Sequence, residues 1–208
     1  MKKALITILI VLLLDQASKF WIKTHMYLGQ EFNVLGDWFI IHFTENNGMA
    51  FGLEFAGAYG KLFLTLFRIV AVIGLLWFIY DLHKKKAHPG YIISMALITA
   101  GALGNIIDSV FYGIWFSDSL NNIATFLPEE GGYAPLFYGR VVDMLYFPLI
   151  EGYFPEWFPV WGGEHFLFFR PVFNIADTSI TIGVAIIILF NKRFFTTEDK
   201  SINQNKEG

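Results

Sequence analysis

Long apolar runs alternate with polar, aromatic-rich segments along the 208 residues of this chain. Each run approaches the roughly 20 residues with which an α-helix, rising about 1.5 Å per residue, crosses a ~30 Å hydrocarbon core. The pattern predicts an integral membrane protein, an all-α bundle of four transmembrane helices at about residues 4–22, 61–80, 91–111 and 173–191. The third run is rich in small residues, which let helices approach closely in lipid.

The first apolar run follows Lys2 and Lys3 and so begins like a secretory signal peptide. No small-x-small cleavage site follows it, and Asp15, Gln16 and Lys19 occupy the place where such a site would lie. We therefore expect an uncleaved first helix rather than a removed leader.

The basic residues predict the orientation of the bundle. Four helices place both termini on one side, and Lys2 with Lys3, the Lys84–Lys86 turn, and Lys192 with Arg193 all fall on that side. The positive-inside rule makes this side cytoplasmic. Both termini, including a polar tail at 196–208, are then cytoplasmic, and the connections at about 23–60 and 112–172 lie outside the cytoplasm.

The two outer connections differ in pattern. In the first, aromatic and β-branched residues alternate up to Asn46-Asn47-Gly48, which indicates strands with a tight turn, because Asn and Gly tolerate positive φ. The second holds several prolines and many aromatic residues, so we expect it to be irregular and to lie in the membrane interface. Residues 1–195 should thus form a single membrane-embedded domain with a small extracytoplasmic β-rich platform.

Composition and motifs exclude several kinds of chemistry. The chain has no cysteine, which removes disulfides, thiolate nucleophiles and Cys-ligated metal sites. A net charge of −3 argues against a nucleic-acid binder. The zinc-protease, serine-elbow and P-loop motifs are missing, and the five histidines are scattered over both sides of the membrane. We therefore expect no metal and no cofactor.

Ionisable residues at the membrane boundary are costly and are functional candidates by default, with pairing as the alternative explanation. The acidic and basic candidates at the outer boundary are Asp15, Lys19, Asp108, Asp143 and Asp177. Asp15 and Lys19 are four residues apart, so a plain interfacial ion pair explains them equally well. Asp108, with Asn105 one turn earlier, is expected to brace a neighbouring loop. Arg68 is expected to extend its guanidinium toward the interface.

Asp143 and Asp177 lie in apolar stretches, which disfavour a charged carboxylate. If both face one pocket they share one proton, the arrangement with which aspartic proteases activate water. Their spacing leaves open whether they meet. A small proton- or cation-coupled transporter and a non-catalytic scaffold are the alternatives; four spans without an internal repeat, and carboxylates gathered at one surface, argue against the transporter.

Five motifs occur in order along the chain: DQASK, NNGMAF, GALGNIID, GRVVDM and FNIADTSI. Together they resemble the motif set of the bacterial lipoprotein signal peptidases, also called signal peptidase II, over nearly the whole membrane-embedded chain. The resemblance implies an aspartic endopeptidase at the outer face of the bacterial cytoplasmic (inner) membrane. Its partners would be prolipoproteins whose cysteine carries a diacylglyceryl group, together with membrane lipids but no nucleic acid, and we expect a monomer without a cofactor.

The resemblance places the two catalytic aspartates on Asp143 and Asp177. It gives supporting or substrate-binding roles to Asp15, Lys19, Asn46, Gly48, Ala50, Gly104, Asn105, Val142, Asn174 and Ala176. The family usually has Arg directly after the aspartate of the third-helix motif, where this chain has Ser109. Arg140 is our candidate replacement for that cation, and Asp108 is kept as a supporting residue. The segment 112–137 looks longer than its counterpart in the family and receives no role.

Overall fold

The computed structural model describes residues 1–47, 57–148, 150–168 and 171–195. The predicted site residues Gly48 and Ala50 lie outside the described residues, as does the predicted tail at 196–208.

The predicted apolar runs are all helical, with somewhat different ends. The helices are α1 (Lys2–His25), α2 (Gly57–Lys84), α3 (Pro89–Ile107), the short α4 (Gly113–Trp115) and α5 (Ile175–Leu189). A π-helical turn, Asp108–Tyr112, joins α3 to α4. Among the described residues, three helical stretches are long and apolar enough to cross a membrane: Lys2–His25, Tyr59–Lys84 and Pro89–Trp115.

The fourth apolar helix is shorter than predicted. Helix α5 has 15 residues, fewer than the roughly 20 that span a bilayer unaided. It begins at Ile175 rather than 173 because Asn174 caps it, and a further helical segment at 191–195 follows Phe190.

A three-stranded antiparallel sheet joins the two predicted outer connections. It consists of β1 (Glu31–Leu35), β2 (Phe39–Asn46) and β3 (Val141–Tyr146), in the order β1-β2-β3. The strands predicted in the first connection are therefore confirmed. The turn between β1 and β2 begins at Gly36, whose φ of 51° favours glycine. The predicted turn at Asn46-Asn47-Gly48 follows the end of β2 at Asn46 and runs into residues outside the described ranges.

The prediction that the second connection is irregular was wrong in part. It contains β3 and a separate antiparallel pair, β4 (Ile150–Tyr153) with β5 (His165–Phe168). Strand β3 forms because it pairs with β2, about a hundred residues earlier in the chain. A local pattern cannot reveal such a distant partner.

Helix α3 lies at the centre of the bundle and packs against α1, α2 and α5. Its small residues allow the close approach that the sequence predicted. A Cβ at Gly101 would collide with the carbonyl of Ala176 in α5, and one at Gly183 would lie 2.7 Å from the Ser94 carbonyl oxygen. This packing brings the first turn of α5 against the end of α3.

The segment between α4 and β3 folds over the end of α1. The backbone N–H of Leu28 donates to the Ser119 carbonyl at 2.8 Å, and that of Ala124 donates to the Lys23 carbonyl at 3.1 Å. A buried apolar cluster lies beneath it: Ile22, Met26, Phe43, Tyr112, Phe116, Ala124, Val142 and Met144. The cluster holds the sheet and this segment against the same end of the bundle.

Candidate active site

Asp177 is fixed by the helix start that contains it. Asn174 is the N-cap of α5; its side-chain oxygen accepts from the Asp177 backbone N–H at 2.9 Å, and Asp177 Oδ2 accepts from the Asn174 backbone N–H at 3.4 Å. This reciprocal capping box satisfies donors that the first turn of a helix leaves unpaired. The N-x-x-D spacing in FNIAD therefore holds the Asp177 carboxylate at the N-terminal end of α5, where the helix dipole favours negative charge.

Asp143 lies on β3 and is 3% exposed. Asn174 donates its side-chain amide to Asp143 Oδ1 at 2.6 Å, and Asn46 of β2 donates its side-chain amide to Oδ2. Burial, followed by the nearby charge of Asp177, raises the pKa of Asp143 to about 7. This carboxyl group therefore titrates near neutral pH, where a general acid or base is most effective.

Two amides connect the two carboxylates. Asn105 of α3 donates to Asp177 Oδ1 at 2.8 Å, and Asn174 donates both to Asn105 Oδ1 at 3.2 Å and to Asp143. The fold thus brings together the two aspartates that the sequence singled out, with an asparagine from each of two helices between them.

Lys19 is enclosed beside this pair. Its ammonium group lies 2.9 Å from Asp15 Oδ2 and 2.8 Å from Asp108 Oδ2, and it donates to Asn105 Oδ1 at 2.9 Å. The side chains of Lys19, Asp15 and Asp108 are all 0% exposed. The predicted ion pair between Asp15 and Lys19 is therefore present, but it is fully buried and shared with Asp108 rather than interfacial.

The carboxylates around Lys19 also hold the backbone next to each aspartate of the pair. Asp15 Oδ1 accepts from the Ala176 N–H at 2.9 Å, and Asp108 Oδ2 accepts from the Val142 N–H at 3.3 Å. Gly104 leaves room for this arrangement, because a Cβ there would lie 2.5 Å from Asp15 Oδ2. Asp108 thus hydrogen-bonds the start of β3, and Val142 and Ala176 make these contacts through their backbone N–H groups.

Gln16 is a site residue that the sequence reasoning missed. Its amide donates to Asp108 Oδ1 at 2.9 Å and to Asp15 Oδ2 at 3.1 Å, and its oxygen accepts from the Tyr112 hydroxyl at 3.3 Å. Its position in DQASK, directly after Asp15, was the available signal. A neutral amide is a weaker signal than a charge, because only ionisable residues are strongly disfavoured at the membrane boundary.

Three further polar residues that the sequence analysis named make identifiable interactions. Arg140 donates to Glu45 at 3.0 Å and to Asp118 at 3.2 Å, so its guanidinium lies on these carboxylates. The Ser109 hydroxyl donates to the Asn105 carbonyl at 2.9 Å. Arg68 of α2, which we expected to extend toward the interface, lies within electrostatic range of Asp177.

Comparisons with known proteins identify the family of this chain. Residues 7–192 match the family model of Signal peptidase (SPase) II. A lipoprotein signal peptidase of Porphyromonas gingivalis is 53% identical over 183 residues, which cover 88% of this chain and 79% of the relative. The lipoprotein signal peptidase of Amoebophilus asiaticus is 38% identical over 184 residues, which cover 87% of this chain and 74% of the relative.

Two solved bacterial membrane enzymes share the fold. One is 25% identical with a TM-score of 0.59, covering 93% of this chain and 89% of its own. The other is 27% identical with a TM-score of 0.57, covering 91% and 92%. The transporter alternative finds no support among these relatives. The chain belongs to the signal peptidase II family, a family of aspartic membrane peptidases.

Proposed function

We propose that Asp143 and Asp177 form the catalytic pair with which this chain cleaves the signal peptide from prolipoproteins. One observation carries the proposal: the amides of Asn105 and Asn174 link the two carboxylates. Burial and the charge of Asp177 also raise the pKa of Asp143 to about 7. Two neighbouring carboxyl groups that share one proton provide a general base and a general acid at the same time.

The chemistry then proceeds in two steps. The ionised member of the pair takes a proton from water, whose oxygen attacks the scissile carbonyl carbon while the protonated member hydrogen-bonds the carbonyl oxygen. A proton from the pair passes to the amide nitrogen as the C–N bond breaks, which releases the signal peptide and the new amino terminus. The apparent pKa values belong to the pair as a unit.

An apolar cavity, lined in part by residues that follow the two site residues Asp143 and Asn174 in the chain, suits a lipid-modified substrate. Its volume is about 260 Å³, and its lining includes Met144 and Leu145, which follow Asp143, and Ile175, which follows Asn174. Trp21 and Ile22 of α1 complete it on the side of the bundle. We assign this cavity to apolar groups of a diacylglyceryl-modified cysteine, with the peptide held in extended form near Asn46 and Asn174.

The proposed arrangement in the membrane follows the charges at the two ends of the bundle. Helix α5, together with 191–195, serves as a fourth membrane helix, and residues 1–195 act as one domain. The lysines of the Lys84–Lys86 turn face the cytoplasm with both termini. The three-stranded sheet and the aspartate pair then lie at the outer face of the inner membrane, and the protein works as a monomer.

Cleavage of a diacylated prolipoprotein by purified variants tests the proposal. Asp143→Asn and Asp177→Asn keep the shape of the side chain but cannot exchange the catalytic proton, so each should lose at least about a thousandfold in kcat. The double variant should be scarcely worse than either single one, because the two groups act as a unit.

Asp37→Asn is the matched control, because Asp37 lies on the exposed turn between β1 and β2, where it accepts from Asn33 at 2.8 Å. It should keep normal activity. Substantial turnover by folded Asp143→Asn or Asp177→Asn would overturn the assignment of the pair and restore the scaffold interpretation for these two residues.

A further inference from the structure

A second cluster of charges, buried at Lys23 and Glu45 and partly exposed at Arg140, lies apart from the Lys19 site. Lys23, one turn beyond Lys19 on α1, has its ammonium 2.6 Å from Glu45 Oε1, and Arg140 lies 3.0 Å from Glu45 Oε2. The side chains of Lys23 and Glu45 are 0% and 1% exposed. We call these three residues the Lys23–Glu45–Arg140 cluster.

The long segment between α4 and β3 covers this cluster. The Ser119 hydroxyl accepts from Lys23 at 2.7 Å, and Asp118 lies 3.2 Å from Arg140. The ring of Tyr133 faces both cations, with its centroid 4.9 Å from the Lys23 ammonium and 4.9 Å from the Arg140 guanidinium. The segment 112–137, for which we predicted no role, therefore lines one side of this partly buried ionic site.

Such a cluster is an inefficient source of stability. Removing charges from water costs about as much as their mutual attraction returns, so a buried ion pair often adds nothing over an apolar replacement. The geometry of the cluster, in contrast, is well defined, because buried polar groups must satisfy one another's hydrogen bonds. A function in fixing the position of neighbouring elements accounts for the cluster better than stability does.

The cluster lies behind the strands that carry the aspartate site. In the β2/β3 pairing, Glu45 is opposite Val142 and Asn46 is opposite Val141. Because successive side chains of a strand point to opposite faces, Glu45 is on one face of the sheet, and Asn46 and Asp143 are on the other. Asn46 donates its amide to Asp143, so the residue directly next to Glu45 is a contact of the proposed catalytic carboxylate.

We propose that the Lys23–Glu45–Arg140 cluster is a positioning device for peptide cleavage: it anchors β2 against α1 and the start of β3 so that the Asn46 amide stays on Asp143. The inference rests on the proposed catalytic pair. It also assigns a task to the long segment through Ser119 and Tyr133, which enclose the cluster.

The proposal has a signature in the pH dependence of activity. A hydrogen bond from Asn46 to the Asp143 carboxylate favours its ionised form. The other charged groups that act on Asp143 are Asp177 of α5 and Lys19 of α1, and neither belongs to the cluster. Displacing the Asn46 amide therefore makes ionisation harder, which moves the pH profile of kcat to higher pH.

Glu45→Gln tests this directly, since glutamine has the same size but removes the carboxylate that bridges Lys23 and Arg140, which leaves Arg140 only its contact with Asp118. We expect kcat to fall about tenfold or more with KM nearly unchanged, and the acid limb of kcat to move upward by about half a pH unit or more. Asn46→Ala should produce the same upward shift. Adding Glu45→Gln to Asn46→Ala should give no further shift, because both changes remove one interaction.

Glu31→Gln is the matched control. Glu31 lies on β1 of the same sheet and pairs with His42 at 2.8 Å, with its side chain 54% exposed. Its variant should keep the pH profile and kcat of the unsubstituted enzyme. Arg140→Lys, which keeps the charge but loses the planar guanidinium, is a second test should Glu45→Gln fail to fold, and the same upward shift is expected.

A Glu45→Gln enzyme that unfolds at lower temperature but keeps its pH profile and kcat would overturn the positioning role. Fully additive shifts in the double variant would overturn it as well. Failure of the proposed catalytic pair is a separate result, because it appears as turnover by Asp143→Asn measured in the same assay.

Discussion

Val142 donates its backbone N–H to Asp108 Oδ2 at 3.3 Å, one residue before Asp143. Ala176 donates in the same way to Asp15 Oδ1 at 2.9 Å, one residue before Asp177. Both acceptors are partners of Lys19. A single buried ammonium group therefore fixes the two carboxylates that hold β3 and the start of α5, and hence the separation of the proposed catalytic aspartates.

Replacing Lys19 with methionine should destabilise the protein strongly. Met removes the charge, so Asp15 and Asp108 remain buried and uncompensated, which costs about 3–5 kcal/mol. Thermal unfolding in detergent should show a lower midpoint, and cleavage should be lost even at temperatures where the variant is folded. Lys85→Met is the control, because Lys85 pairs with Asp81 while its side chain is 66% exposed, and an exposed pair contributes at most about 1 kcal/mol. Equal midpoints for both variants would contradict the central role of Lys19.

Asp143 should make stability depend on pH. Its folded pKa of about 7 lies above the value of about 3.9 in an unfolded chain. The stability that comes from binding this proton is complete below the unfolded pKa and is lost as the pH rises through the folded pKa. Asp143→Asn removes this dependence. Between pH 4 and pH 8 the unfolding midpoint of the variant should therefore rise relative to that of the unsubstituted protein, which loses this stability. A constant difference between the two midpoints over this range would contradict the raised pKa.

Gly101→Ala should separate α3 from α5. The added methyl group would meet the Ala176 carbonyl and lie 2.7 Å from Ile180 Cγ1, so the helices must move apart and Asn105 moves relative to Asp177. We expect lower stability and a loss of kcat of about tenfold or more. Gly74→Ala on α2, where a Cβ meets nothing within 4 Å, should instead be neutral or slightly stabilising, because alanine favours the helix. Similar effects of both substitutions on cleavage would contradict the packing argument.

The orientation in the membrane can be read with fused reporters. A reporter placed after Lys86 should score as cytoplasmic, and one inserted near Gly132 should score as extracytoplasmic, if the lysine distribution sets the topology. An insertion at Gly132 should disturb the local packing, because even a Cβ there would collide with the backbone of Gly113 and Ile114. Only the location of the reporter, and not the activity of the fusion, is therefore used as the readout. The opposite pattern would place the aspartate pair on the cytoplasmic side and contradict the proposed topology.

The apolar helices and most residues of the candidate site could be predicted from the sequence alone. A membrane helix satisfies its own backbone hydrogen bonds and needs no partner strand. A local run of apolar residues is therefore enough to predict it. The charged residues at the membrane boundary can also be recognised in the sequence, because an ionisable side chain at that depth is energetically unfavourable. The N-x-x-D capping box that orients Asp177 is also local.

Which of these residues meet depends on the tertiary structure. Strand β3 exists because β2 offers it a partner far away in the chain, and Asp143 reaches Asn174 and Asn46 through that pairing. Gln16 and the Lys23–Glu45–Arg140 cluster acquire their roles from partners on other elements. Contacts between distant segments depend on the packing of the whole bundle and sheet. This packing cannot be predicted from the spacing of residues along one segment.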